Sequence, residues 1–386
     1  MYEKGFINRE AKRIMNKNFL KMFLGASIVF LMIGTGTVSA INQNPGVEPV
    51  FLGNWLYVGG GAGNYTTIQE AIDNSSDGDT VFVYDDLSPY QENIHINKQI
   101  IVLGENRDTT AISGISGQEH VVRINSNNAQ ISGFTIIGAV GGQDGISVFP
   151  LKQLCTISNN IIKDSSYGVF LQGTSSHITI SDNIILDNNF QGIFLQESDR
   201  NIISGNAING NGDFGITLEL NSKQNEITNN VIENNFGGIQ FTGSSAQNNI
   251  SGNQILNSHM EGISIKGVLC TANYITGNTV TGNSAGIKIS SGGNNIITTN
   301  NISDNKMEGI ILLGSNQNII KTNNLIGNKR NARFVFSFRN TWESNYWDSW
   351  FGVRFDRPLF KVLPKVIRGV VLRNFDHDPQ LEPYDI

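Results

Sequence analysis

A glycine followed by an aliphatic residue recurs at Gly145, Gly168, Gly192, Gly215, Gly238, Gly262, Gly286 and Gly309, at intervals of 23 or 24 residues. A second column keeps the same beat, an isoleucine three residues before an asparagine: Ile157/Asn160, Ile180/Asn183, Ile203/Asn206, Ile227/Asn230, Ile250/Asn253, Ile275/Asn278, Ile297/Asn300 and Ile320/Asn323. Two columns in step over eight copies define a solenoid, in which each unit buries its apolar face on the next. Within a unit such as 192–211, apolar residues fall in three short pieces, Ile193/Leu195, Ile202/Ile203 and Ala207/Ile208. Between them lie Asn, Gly, Ser and Asp, which accept the backbone of tight turns. Three strands and three turns in about 23 residues predict an all-β chain, a single-stranded parallel β-helix. In this reading the glycines bend, the asparagines form an amide ladder at the bend, and the aliphatics fill the core.

A leucine-rich repeat is the rival, because Ile203-x-x-Asn206-x-Ile208 matches part of its phrase. That repeat also needs apolar residues two and five positions earlier, where Asn201 and Ser198 stand. The other half of each unit, such as 229–238, is too rich in Asn and Gly for a helix.

The repeat organises the rest of the 386-residue chain. Residues 1–40 carry six Lys/Arg against two Asp/Glu, an apolar run at Met22–Ile33 and small residues up to Val38-Ser39-Ala40, as in a secretory signal peptide. An uncleaved signal anchor is the alternative, though about 12 apolar residues are short for a span. Either way the body is exported, and the membrane is reached only through this segment. Residues 41–92 read as an N-terminal strand and a capping helix, with Thr67-Ile68-Gln69-Glu70 as a capping box in which Glu70 reaches back. Residues 93–328 hold the coils. Residues 329–386, with Trp342, Tyr346, Trp347 and Trp350, read as a C-terminal cap whose aromatics plug the last coil.

Charge excludes some partners. The net charge is −6 overall, and the chain after residue 40 carries 21 Lys/Arg against 31 Asp/Glu, a net −10. An acidic body does not suit nucleic acid or anionic lipid. Cys155 and Cys270 lie about five repeats apart, roughly 24 Å at the ~4.8 Å spacing of stacked strands, beyond the reach of a disulfide. Both are expected to be free packing residues.

Tyr65-Thr66-Thr67-Ile68-Gln69-Glu70-Ala71-Ile72-Asp73, with Asp77-Gly78-Asp79-Thr80-Val81 after it, resembles the opening of pectin-lyase-like right-handed β-helix proteins. The ending at Asn345-Tyr346-Trp347, Asp378-Pro379 and Pro383-Tyr384 is similar to their NosD-type subgroup, described as periplasmic copper-binding or as carbohydrate-binding and sugar-hydrolase domains. The resemblance covers 54–386 and implies the fold and its right hand. It implies little about activity, because this fold hosts many functions.

The chain departs from the catalytic clusters of the wider superfamily. The one Asp-Asp, Asp85-Asp86, precedes the regular coils, and neither Gly-His-Gly nor Asp-Pro-His-Glu occurs. Soft copper sites gather Cys, Met and His, whereas His95, His120, His177, His259 and His377 are scattered and only Met260 and Met307 lie outside the leader. His259/Met260 reads as a turn histidine beside a core methionine, and Asp376-His377-Asp378 as a polar turn. No metal and no cofactor are expected.

The outer face remains. Strand alternation turns the second and fourth residues after each repeat glycine outward. Phe170, Gln172, Phe194, Gln196 and Glu219 on these columns form the mixture that recognises sugars, rings for pyranose faces and amides or carboxylates for hydroxyls. These five are the expected carbohydrate-binding residues, with polysaccharide or cell-surface glycan as partner. For a lyase or hydrolase the candidates are Glu219, Lys266, Asp199 and Arg200, but Glu219 and Lys266 sit two coils apart, about 10 Å. The expectation is therefore a non-catalytic, exported glycan-binding protein. A polysaccharide lyase or hydrolase and a structural or adhesive surface protein are the alternatives. Sequons at Asn64, Asn74, Asn249 and Asn301 suit an exported glycoprotein.

Overall fold

The computed structural model describes residues 53–386 apart from 118–119, 139–141, 350–364, 369–372 and 377. The expected leader, Trp350 and His377 lie outside the described residues. Among those residues no helix is long and apolar enough to cross a membrane.

The chain winds as a right-handed parallel β-helix. The described strands form three sheets of 15, 11 and 12 strands, each coil adding one strand to each sheet. Inward residues stack on their counterparts: Ile157, Ile180, Ile203, Ile227, Ile250, Ile275, Ile297 and Ile320 pair rung to rung in the 15-stranded sheet. All are fully buried. β-branched side chains fit such a pleated wall, and each burial contributes roughly 1.5–3 kcal/mol.

The corners follow one rule, a left-handed residue and then a buried asparagine. At one coil, Gln224 (φ 56°) precedes Asn225, Asn229 (φ 56°) precedes Asn230, and Asn234 (φ 55°) precedes Asn235. Left-handed backbone reverses the chain sharply, and Asn, Asp and Gly tolerate it best. The next side chain then points inward, where its amide must find partners. Asn230 Oδ1 accepts from Asn206 N (3.0 Å) and Nδ2 (2.9 Å), while its own Nδ2 donates to Ile203 O (2.9 Å) and Asn253 Oδ1 (3.0 Å). The expected ladder exists. Two further ladders occupy the other corners, one through Asn201, Asn225, Asn248 and Asn273, the other through Asn188, Asn211 and Asn235.

The repeat glycines do not bend the chain. None of the eight has positive φ. They are needed for room: a Cβ on Gly168 would stand 2.5 Å from Gly192 O and 2.6 Å from Ile185 Cγ2. Both the glycine and the aliphatic residue after it therefore face the interior, and regular alternation slips by one residue there.

At the N-terminal end, helix Ile68–Asn74 buries Ile68, Ala71 and Ile72. Thr67 Oγ1 accepts from Glu70 N (3.3 Å) as expected. Two other free amides of the first turn are met from outside the helix by Glu92, whose carboxylate accepts from Ile68 N (2.8 Å) and Gln69 N (2.9 Å). Two amides at a helix N-terminus suit a carboxylate. Parallel pairing also runs outside 93–328, from Trp55–Val58 on Thr80–Val83 to Arg330–Val335 on Glu308–Leu313. At the other end, Trp342 pairs over Ile320 and Trp347 over Leu325, with ring centroids 5.7 Å apart. Asp376 is not in a polar turn. It is 0% exposed and accepts from Asn345 N (3.1 Å), Asn345 Nδ2 (3.0 Å) and Trp347 Nε1 (2.8 Å), taking the next place in the ladder.

Cys155 and Cys270 are free and buried, and burial pushes both thiols up. A thiolate reagent is expected to leave the native protein unmodified and to label two thiols after unfolding without reductant. Fewer than two labels in the unfolded chain would contradict the free pair.

Candidate functional site

The 11-stranded sheet carries the expected patch on its outer face. Phe170 and Phe194 are paired residues on neighbouring strands and stack with centroids 5.0 Å apart at 12°. Tyr167 stands 5.4 Å from each of them and 5.4 Å from Phe190. Rungs at sheet spacing press such rings together, so an outward position is not always an exposed one. Phe194 is 7% exposed, sealed by its neighbours, whereas Phe190 at 50% presents a ring to solvent. Phe170 and Tyr167 are half-buried. Phe194 therefore supports the platform rather than forming it.

The polar members lie beside the rings. Gln172 Nε2 donates to Ser147 Oγ (2.9 Å), which fixes its amide, and Gln196 is paired with Glu219 on the next strand. All three are half-buried. The weak catalytic candidates do not converge. Strand Gly237–Phe241 lies between the strands of Glu219 and Lys266, and Lys266 Nζ sits 5.7 Å above the Phe214 ring. Asp199 Oδ1 accepts from Lys223 N (2.6 Å), and Arg200 is a left-handed, exposed corner residue.

A third outward column was missed. The slip at each repeat glycine turns the preceding residue outward as well, and that column reads Asp144, Tyr167, Gln191, Phe214, Gly237, Glu261, Ala285 and Glu308. Asp144 Oδ2 lies 3.0 Å from His120 Nδ1, near Arg123, whose guanidinium covers the Phe149 ring at 3.7 Å. Further along, Glu261 and Glu308 stand on either side of Ala285: Glu261 pairs with Ala285, and Ile287 with Ile310, which sets Ala285 level with Glu308. The small side chain leaves a cavity of about 360 Å³ lined by Met260, Glu261, Ala285, Lys288, Met307 and Glu308, with Ile311, Leu313 and Arg333 around them. Glu261 Oε1 takes Lys288 Nζ at 2.6 Å, and Glu308 Oε1 takes Arg330 Nη1 at 2.8 Å and Arg333 Nη1 at 3.8 Å. Met260 is exposed beside this cavity, not in the core as expected.

Comparison with known proteins identifies relatives. The model of the family described as periplasmic copper-binding protein (NosD) matches residues 72–267 and 220–350. A cell surface glycoprotein of Methanothermus fervidus is 35% identical over 101 residues, 26% of this chain. The chain spans only 16% of that protein's length. Among solved structures, the A-module of the Azotobacter vinelandii mannuronan C-5 epimerase AlgE6 superposes with a TM-score of 0.63 at 18% identity, covering 72% of this chain and 88% of the module. The DFA-IIIase of Arthrobacter chlorophenolicus A6 gives 0.58 at 12% identity, covering 77% and 95%. At these identities the structural likeness speaks for the fold.

The residues do not fit copper. Among the described residues no three His, Cys, Asp or Glu side chains gather. Met260 and Met307 do line one cavity, but the carboxylates with them are tied to Lys288 and Arg330. A soft copper site calls for thiolate, thioether and imidazole together.

Proposed function

We propose a glycan-binding function for this chain, which belongs to the family described as periplasmic copper-binding protein (NosD): an extracytoplasmic β-helix that holds polysaccharide on the outer face of its 11-stranded sheet. The observation that carries the reading is the four-ring cluster of Tyr167, Phe170, Phe190 and Phe194 beside the amides and carboxylate of Gln172, Gln196 and Glu219. A rigid aromatic surface packs against the C–H face of a pyranose, and flanking acceptors and donors fix its hydroxyls. The cell-surface relative and the carbohydrate-acting enzymes that share the fold support the same class of ligand and a place outside the cytoplasm. Binding rather than cleavage is favoured because paired acid and base groups do not come together in this patch.

The test is a glycan array probed with the whole protein, followed by titration of the best ligand. Phe190→Ala and Phe170→Ala are each expected to weaken binding at least tenfold, with no reducing ends released by the wild type. Affinity unmoved by both variants would refute the aromatic platform.

A further inference from the structure

We infer that Arg123 is the anion subsite of the glycan-binding face, its guanidinium fork taking the carboxylate of an acidic sugar whose neighbours lie along Tyr167, Phe170 and Phe190. The head group is laid on the Phe149 ring, 3.7 Å from its centroid. A guanidinium on a ring face gives up part of its hydration and is held in one place. What it lacks is a counter-ion. Among the described residues no hydrogen bond and no ion pair reaches Arg123, and the carboxylate on the next strand, Asp144, is engaged by His120 Nδ1 at 3.0 Å. Arginine taken out of water is normally paired. Arg123 is half-buried and unpaired, which defines what the missing partner must bring, a negative charge.

The fork is reachable. Nε is sealed from solvent, and the two terminal nitrogens are not. A pair of terminal N–H groups matches the two oxygens of a carboxylate. The surroundings favour the same sign. His95 stands level with Arg123 on the preceding strand, and its imidazole is pushed down by burial and then by the charges of Arg123 and His120. Glu219, the acidic member of the aromatic patch, is four strands from Arg123 in the same sheet. That is about 19 Å at sheet spacing, beyond the screening length of about 8 Å in physiological salt.

The position continues the face described above. Arg123, Ser147, Phe170 and Phe194 are paired residues of one outward column. Arg123 and Phe170 are thus two rungs apart, about 10 Å at sheet spacing. A short oligosaccharide with its carboxylate on Arg123 therefore lays its next rings on Tyr167 and Phe170. The assignment rests on the glycan-binding reading and adds to it the class of glycan, an acidic one. A neutral chain would leave the guanidinium without its counter-ion. A sulfated sugar carries the same charge, and the test separates the two.

Isothermal titration of the whole protein tests this, with hexasaccharides of galacturonate, glucuronate and mannuronate beside those of galactose, glucose and mannose, and with sulfated galactose as a further anion. At least one uronate is expected to bind at least tenfold more tightly than its neutral counterpart and than the sulfated chain. Arg123→Gln is expected to cut that affinity at least tenfold and so to erase the preference. Should the variant fail to fold, the wild type supplies a second reading: uronate affinity falls between low and half-molar salt, and neutral affinity does not. Uronates bound no better than their neutral counterparts overturn the anion subsite and, with a loss of binding in Phe190→Ala, leave the aromatic platform. A preference that survives Arg123→Gln, or one that ignores salt, also overturns it. Tighter binding of sulfated galactose overturns the carboxylate assignment. Binding of no hexasaccharide overturns the glycan-binding reading together with the subsite.

Discussion

Asn230→Ala is expected to destabilise the β-helix by about 3–6 kcal/mol, because it strands several buried polar groups at once. The lost side chain accepts from Asn206 N and Nδ2 and donates to Ile203 O and Asn253 Oδ1, all at a corner with almost no solvent access. Each orphaned group costs roughly 1–3 kcal/mol when no water can replace the partner. The position also sits mid-stack. A solenoid's stability is close to a sum of neighbour interfaces, so breaking one rung loosens the coupling between the two halves. Urea unfolding followed by far-UV circular dichroism reads the effect as a lower midpoint or as a split into two transitions. Gln240→Ala, on the outer face of the coil that follows, is the control, expected to stay within about 0.5 kcal/mol of the wild type. A midpoint for Asn230→Ala as close to the wild type as the control's would remove the ladder from the account of stability.

The solenoid was legible because its inward residues obey a strict period, as Ile203 and Asn206 show. Two of the three ladders were not: the column of one is broken by Ser165 and Ser258, which stand where Asn188 and Asn283 do in other coils, and the column of the other turns to asparagine only at Asn201, one rung after Ile178. The glycine column is equally legible, but its cause is room and not bending. Bending and close approach both select glycine, and only the Cβ clash at Gly168 separates them. The site suffered more. Strict alternation predicts the residue before each glycine to face inward, which hides the outward Tyr167, Glu261 and Glu308. Phe194 was placed on the correct face, yet its exposure depended on Tyr167 three residues before Phe170, on the column that alternation hid. What a sequence period encodes is the direction of a side chain. Whether that side chain is covered depends on the volumes of its neighbours on the adjacent rungs, which vary from coil to coil.

The C-terminal end of the ladder supplies a pH-dependent test. Asp376 occupies the place of the next ladder asparagine, and burial pushes its carboxyl up, partly offset by the bonds from Trp347 and Asn345. A raised carboxyl binds a proton in the folded chain at pH values where the unfolded chain, near 3.9, has released it. Its contribution to stability is therefore largest below that value and declines as pH rises through the folded one. Asp376→Asn removes the ionisation and keeps a side-chain oxygen for Asn345 N and Trp347 Nε1. The variant is expected to match or exceed the wild type at pH 7 and to lose the decline seen on raising the pH from 4. Asp376→Ala leaves the Asn345 and Trp347 donors buried and unpaired, at a cost of about 2–4 kcal/mol, and opens the last coil over Trp342 and Trp347. Thermal unfolding monitored by tryptophan fluorescence across pH 4–8 separates the three proteins. Should Asp376→Asn be as damaging as Asp376→Ala at pH 7, the carboxylate's charge holds the cap, and the neutral-ladder account of this end fails.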